Sequence, residues 1–268
     1  MTEIITSPHN PLIKMVSCLT QKKYRQQTGL FVAEGIRLAE ELAAAGWPVE
    51  ACILSASAEQ NPRAQDLVRS VSSRTRVVKV SDDIFQKMAD TEQPQGILLV
   101  ARSRQYQLTD LITRTKAFLL VLDNVQDPGN IGALIRTGDA AGCSGVILTV
   151  GCADIYSTKV VRASMGSIFH LPVLQGITPE DVIQYCRQQD ILLAATSLEQ
   201  STVYWNTDLS GSLALVFGNE GNGVSQRLLD ESLLKVHIPL LGKAESLNVS
   251  SAAAVILYDA VRQRYAGL

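Results

Sequence analysis

Four short apolar runs in the second half of the chain set the strongest limit on its fold: FLLVL at 118–122, GVILTV at 145–150, ILLAAT at 191–196 and LALVF at 213–217. Each is bounded by glycine or polar residues and is too short for a buried helix, so each reads as a strand. None shows a regular alternation of apolar and polar residues. A strand that is apolar throughout is covered on both faces, which is the situation of a parallel sheet. Parallel neighbours need a long crossover, usually a helix, and the segments between the runs have the length and spacing for one. The expected architecture is α/β, a mostly parallel sheet with helices on both faces.

The first half reads differently. FVAEGIRLAEELAAAG (31–46) has a loose apolar stripe through Ile36, Leu38, Leu42 and Ala45, with Gly46 where a helix would stop, and it is expected to be one helix. ACILS, TRVVKV and GILLVA are short runs with strand character, and PRAQDLVRSVSS and SDDIFQKMAD look helical. The expected layout is a small αβ domain over 1–103, a polar connector over 104–116, and the larger α/β domain over 117–268.

Composition narrows the class. With 46% apolar and 19% charged residues the chain is globular rather than disordered. No run approaches the length of a membrane span and the N-terminus lacks an apolar core, so a cytoplasmic protein without a membrane partner is expected. Five scattered cysteines and three dispersed histidines offer neither a disulfide framework nor metal-ligand spacing, and no metal is expected. The net charge of −2 does not announce a nucleic-acid binder. Residues 10–30 nevertheless carry Lys14, Lys22, Lys23 and Arg25 with no acidic residue, a stretch that would meet phosphates or form an ordinary solvated face.

Three segments of the larger domain carry candidate chemistry. In LDNVQDPGNIGALIRTGDAAG (122–142), Asp127 suits a helix N-cap and Pro128 its first turn. Ile131, Leu134, Ile135 and Gly138 form the buried stripe, leaving Arg136 off it. Asn130 then sits at a strand's C-terminal edge, where such sheets bind ligands. Taken alone, Asn130 reads first as a second cap and Arg136 as a surface arginine. LALVFGNEGNGVS (213–225) brings Gly218, Gly221, Gly223 and Glu220 to another strand exit, with neither dinucleotide-binding nor Walker spacing. HIPLLGKAESLNVSSAAAVILYDAVRQR (237–264) runs from a short strand through a loop into a long helix that Asn248 or Ser250 can cap.

The three segments together, as N-x-G-x-x-x-R-T, F-G-N-E-G-x-G and I-P-L-x-G-x-x-x-S-L-N-V-S, resemble the motifs of the SpoU/TrmH branch of the SPOUT methyltransferase superfamily. VVRASMGSIFHLPV (160–173) is also similar to that family, and the resemblance runs over about 150 residues, from Phe118 to the end. Residues 1–100, with SPHNPLIK and FVAEGIRL, resemble the substrate-binding domain of its larger members, which is similar to ribosomal protein L30e.

The resemblance implies a deep trefoil knot near the C-terminus, a homodimer formed through the knotted region, and transfer of a methyl group from S-adenosylmethionine to a ribose 2′-hydroxyl of structured RNA. The implied cofactor lining is Phe217, Gly218, Gly221, Ile238, Leu240 and Leu247, joined by Thr196 and Ser197. The implied catalytic residues are Asn130, Arg136, Glu220, Ser246 and Asn248. The family's arginine is assigned to deprotonation; a guanidinium is a poor base, so holding the substrate phosphate and stabilising a developing alkoxide suit Arg136 better. Arg162 is a candidate phosphate contact or an internal ion-pair partner, and Lys14, Lys22, Lys23 and Arg25 are the candidate RNA contacts of the first domain. Ribosomal RNA of the 23S type is the expected substrate. A transfer-RNA 2′-O-methyltransferase, a base-nitrogen methyltransferase and a non-catalytic ribosome-assembly factor are the alternatives.

Overall fold

The computed structural model describes residues 4–111 and 116–265. The chain forms two compact units: one runs to Arg104 and includes Tyr156–Phe169, the other comprises Gln105–Ile155 and the chain from His170 onward. Residues 112–115 of the expected connector lie outside the described residues; Leu111, just before them, is buried in the core of the second unit.

The first unit opens with α1 (Pro11–Cys18), started by the Asn10 side chain, which accepts the Leu12 N–H at 2.9 Å, and by Pro11 in the first turn. α2 (Lys22–Thr28) ends at Gly29, whose φ of 66° suits glycine. There follow β1 (Leu30–Glu34), α3 (Ile36–Ala44), β2 (Val49–Ser55), α4 (Pro62–Val71), β3 (Arg76–Val80), α5 (Asp82–Met88) and β4 (Ile97–Arg102). The strands form one sheet in the order β1-β4-β2-β3, with β2 and β3 parallel. Ile13 and Val16 of α1 and Ile84 and Phe85 of α5 close over Ile53, Val80, Leu98 and Val100.

The single helix expected over 31–46 is corrected. Phe31–Glu34 belong to a strand, paired antiparallel with β4 from Leu30↔Arg102 to Glu34↔Leu98, and the helix starts only at Ile36. Gly35, at φ 101°, makes the break, and the helical stripe begins beyond it. Arg25 is also corrected as an RNA contact. It is 7% exposed, and its Nη1 donates to the carbonyls of Leu19 (2.7 Å) and Thr20 (2.8 Å). A guanidinium committed to the C-terminal carbonyls of α1 is a structural cap.

A later segment, Tyr156–Phe169, packs with this first unit. It contains α7 (Thr158–Ala163) and ends at Phe169. The Phe31 ring lies 4.8 Å from Tyr156 and 6.2 Å from Phe169, and Trp47 lies 5.3 Å from Phe169, distances at which aromatic rings attract. The Trp47 indole N–H also donates to the Phe169 carbonyl at 3.3 Å.

The second unit is built from β5 (Phe118–Leu122), α6 (Pro128–Ala140), β6 (Gly145–Thr149), β7 (Val173–Ile177), α8 (Pro179–Gln188), β8 (Leu192–Thr196), β9 (Thr202–Val203), β10 (Leu213–Phe217), α9 (Gln226–Glu231), β11 (Leu234–His237) and α10 (Val249–Arg264). Its seven strands run in the order β7-β6-β5-β10-β8-β11-β9, every described pair parallel. On one face Leu119, Val121, Ala214 and Val216 pack with Val182, Ile183 and Cys186 of α8 and Leu228 of α9. α6 and α10 pack together on the other face. Gly138 allows a close approach there: a Cβ would sit 3.2 Å from the Leu120 side chain. The five cysteines are unpaired, and burial pushes the thiols of Cys52, Cys143 and Cys186 up to about 12. Among the described residues no helix is long and apolar enough to cross a membrane, and no cluster of His, Cys, Asp and Glu is arranged to hold a metal.

Candidate functional site

Because the strands are parallel, the loops leaving β5, β8, β10 and β11 share one edge of the sheet. The strand order reverses between β5 and β10, the switch point at which open α/β sheets place their ligands.

The loop after β5 is fixed by a buried carboxylate. Asp123, 3% exposed, accepts the Thr149 hydroxyl at 2.9 Å and the Ser225 N–H at 2.7 Å, so one side chain ties the exits of β5, β6 and β10. Asn124 then turns at φ 54°, and its carbonyl accepts the Asn219 amide at 3.0 Å. Asp127 caps α6 by accepting the Asn130 N–H at 2.8 Å, as its sequence position suggests.

The loop after β10 is a tight turn. Asn219 and Gly223 exchange both backbone hydrogen bonds at 2.9 Å, and the Asn219 Oδ1 accepts the N–H groups of Gly221 and Asn222. Gly218 is required: a Cβ there would sit 2.1 Å from the carbonyl carbon of Gly223. Opposite, Asn248 caps α10, its Oδ1 accepting from Ser250 N (2.9 Å), Ser250 Oγ (2.6 Å) and Ser251 N (3.4 Å).

These capped and pinned loops carry a continuous chain of hydrogen bonds. With Oδ1 occupied as an acceptor, Asn248 turns its Nδ2 to the Asn130 Oδ1 at 2.9 Å. Asn130 in turn donates Nδ2 to Glu220 Oε1 at 2.8 Å. Glu220, Asn130 and Asn248 come from three segments as far as 118 residues apart in sequence and form one polar line.

Beside them lies a cavity of about 700 Å³ lined by Thr196 and Ser197, by Phe217, Gly218, Glu220 and Gly221, by Ile238 and Leu240, and by Ser246, Leu247 and Asn248. Every residue expected in the cofactor lining is there, together with three of the expected catalytic residues. Asn130 joins through its hydrogen bonds. Arg136 is not part of the lining; it is exposed on α6, six residues beyond Asn130, or about 9 Å along the helix. Sequence reasoning missed Asp123, Asn219, His237, Glu245, Val249 and Ile256. Asn219 lies within the F-G-N-E-G motif and Asp123 beside the first motif, which are the signals available for them. His237 lines the cavity with its Nδ1 2.9 Å from the Ser201 hydroxyl, and nothing local in the sequence marks it. The lining contains the carboxylates of Glu220 and Glu245 and neither lysine nor arginine. A cavity of this size, lined by apolar side chains and several polar groups, suits a mid-sized organic ligand.

In the first unit, Lys14, Lys22 and Lys23 are exposed on α1 and α2. Arg162 belongs to the same unit and pairs with Asp90 at 2.7 Å, so the internal ion pair is the arrangement found.

The model of the SpoU rRNA Methylase family matches residues 117–258, and that of the MRM3-like substrate binding domain matches residues 10–99. The chain is 35% identical to the 23S rRNA (guanosine(2553)-2′-O)-methyltransferase RlmP of Bacillus subtilis (strain 168), over 95% of this chain and 97% of that protein. Among solved structures, it superposes on the AdoMet-bound rRNA methyltransferase of Sinorhizobium meliloti with a TM-score of 0.89 at 33% identity, covering 98% of both chains. It superposes on the SpoU methyltransferase AviRb of Streptomyces viridochromogenes, in complex with the cofactor AdoMet, with a TM-score of 0.90 at 30% identity, covering 97% of this chain and 100% of that one. The family model covers more than half of the chain, and the chain belongs to the SpoU rRNA Methylase family.

Proposed function

We propose that the protein transfers the methyl group of S-adenosylmethionine to a ribose 2′-hydroxyl of ribosomal RNA of the 23S type. The observation that carries this reading is the hydrogen-bonded line Glu220–Asn130–Asn248 beside the cavity. The donor supplies an electrophilic methyl on a sulfonium. Phe217, Ile238, Leu240 and Leu247 offer apolar walls for its adenosine, Gly218 and Gly221 admit close backbone approach, and Glu245 balances its charge. Ser246 and Asn248 shape the loop before α10, and Thr196 and Ser197 complete the lining.

Arg136, exposed on α6, serves to hold the RNA phosphate. Because it is absent from the lining of this chain's cavity, its place at the reaction fits a homodimer formed through the C-terminal region. The trefoil knot belongs to the same proposal, favoured by the insertion of β10 between β5 and β8. Residues 1–103 act as the RNA-binding domain, through Lys14, Lys22 and Lys23, and recognise a folded RNA by its shape and backbone. The relative named for 23S rRNA favours a ribosomal substrate over transfer RNA, and the protein would act in the cytoplasm on it.

The test is a map of 2′-O-methyl positions in rRNA from cells with and without this gene, joined to calorimetry with S-adenosylmethionine. Loss of one ribosomal site together with uptake of the donor is expected. An unchanged methylation map, or a protein that takes up no donor, would refute the reading.

A further inference from the structure

We infer that the Glu220 carboxylate, through Oε2, is the acceptor for the proton that leaves the ribose hydroxyl; this rests on the methyltransferase reading above. The hydrogen bonds of the line run in one fixed direction. Asn248 Oδ1 is held as an acceptor by two backbone N–H groups and the Ser250 hydroxyl, so its amide cannot turn over without orphaning the cap of α10. Its Nδ2 therefore donates to Asn130 Oδ1, which obliges Asn130 to donate to Glu220 Oε1. The helix cap thus sets the polarity of the whole line, and the line ends on an oxygen that must accept.

Glu220 is exposed at the cavity, and among the described residues its Oε2 accepts no hydrogen bond. Asn130 and Asn248 each keep one amide N–H without a partner among the described residues, able to hold sugar oxygens beside that carboxylate. Other titratable groups in the lining are less suited. His237 is engaged by Ser201 through Nδ1, and Glu245 lies in an exposed loop with no side-chain hydrogen bond among the described residues. Glu220 has an orientation fixed from two other segments, which proton transfer in a positioned complex demands.

The step balances without a further reactant. As the ribose oxygen bonds to the methyl carbon, the carbon–sulfur bond breaks and its electron pair leaves on sulfur. The hydroxyl proton, made strongly acidic as the oxygen gives up its lone pair, passes to Oε2. The resulting carboxyl returns the proton to water after the product leaves. A carboxylate is basic enough for a proton leaving so late, whereas a guanidinium has no lone pair to offer.

The test is single-turnover methyl transfer from S-adenosylmethionine to unmodified 23S rRNA transcript, with donor affinity measured separately by calorimetry. Glu220→Gln keeps an oxygen for the Asn130 amide but cannot take the proton. It should bind the donor within about threefold of wild type and lose about 10²-fold or more in rate, as should Glu220→Ala. Formate should partly restore Glu220→Ala, and more basic carboxylates of similar size should restore it better. A Gln variant that turns over within about threefold of wild type, one that loses the donor, or an Ala variant that no small carboxylate revives would each overturn the assignment. Failure of the wild-type protein itself to bind the donor would instead sink the methyltransferase reading.

Discussion

Asn248 performs two tasks with the two ends of one amide, and substitution can separate them. Its Oδ1 caps α10 and its Nδ2 orients Asn130. Asn248→Ala removes both: loss of a side-chain N-cap costs about 1 kcal/mol. In a unit of this size that lowers the melting temperature by about 2–4 °C. Asn248→Asp keeps the cap, because aspartate and asparagine are nearly equal there and the negative charge favours a helix N-terminus. Stability should stay within about 0.5 kcal/mol of wild type. The introduced carboxylate nevertheless has no N–H for Asn130 Oδ1. Asn130 must turn its donor away from Glu220 or leave its oxygen unpaired, and Glu220 loses its tether. A misplacement of about 1 Å at a reacting group costs on the order of 10²-fold in rate. Thermal denaturation and methyl transfer, measured on both variants, should show the Ala protein both less stable and inactive and the Asp protein stable and inactive. If the Asp variant turned over normally, or melted as early as the Ala variant, the argument from hydrogen-bond direction would be wrong.

Other perturbations address separate parts of the molecule. Arg136→Ala should abolish methyl transfer while donor affinity in calorimetry stays within a few-fold, since Arg136 is not in the cavity lining. Gly218→Ala should remove donor binding, because the added Cβ would overlap the Gly223 carbonyl carbon and the turn must open. Arg25→Ala should destabilise the first unit by about 1.5–3 kcal/mol in urea denaturation, the worth of hydrogen bonds from a charged donor. Replacing Lys14, Lys22 and Lys23 together should instead leave stability nearly unchanged, weaken RNA binding and flatten its salt dependence. Cys52, Cys143 and Cys186, with thiols raised to about 12, should resist iodoacetamide at pH 8 in the native protein and react after denaturation, as read by mass spectrometry.

What could be read in advance followed from local rules. Continuous apolar runs identified β5, β6, β8 and β10 because burial on both faces leaves no room for polar positions. Caps at Asp127 and Asn248 were visible because the preference for such residues is local. β1 was hidden because FVAE joins a helical stripe across a single glycine, and its pairing partner, β4, lies some seventy residues away. Arg25 looked like its lysine neighbours in a charge cluster, and only the fold reveals carbonyls waiting for a guanidinium. Resemblance supplied the identities of Asn130, Glu220 and Asn248. It did not supply the direction of the hydrogen bonds between them, which depends on three distant segments meeting.

The path of the chain through its two units carries a consequence for how such a protein can be divided. Besides the connector near Arg104, the backbone leaves the second unit after Ile155 and re-enters it at His170, a detour that supplies two rings to the group around Phe31 and Trp47. A fragment cut after residue 104 would lack Tyr156 and Phe169, and would bare to water the apolar faces they cover. Grafting a different N-terminal module onto this catalytic sheet would mean rewriting an internal stretch of the host as well, so head and body are free to diversify only as a matched pair.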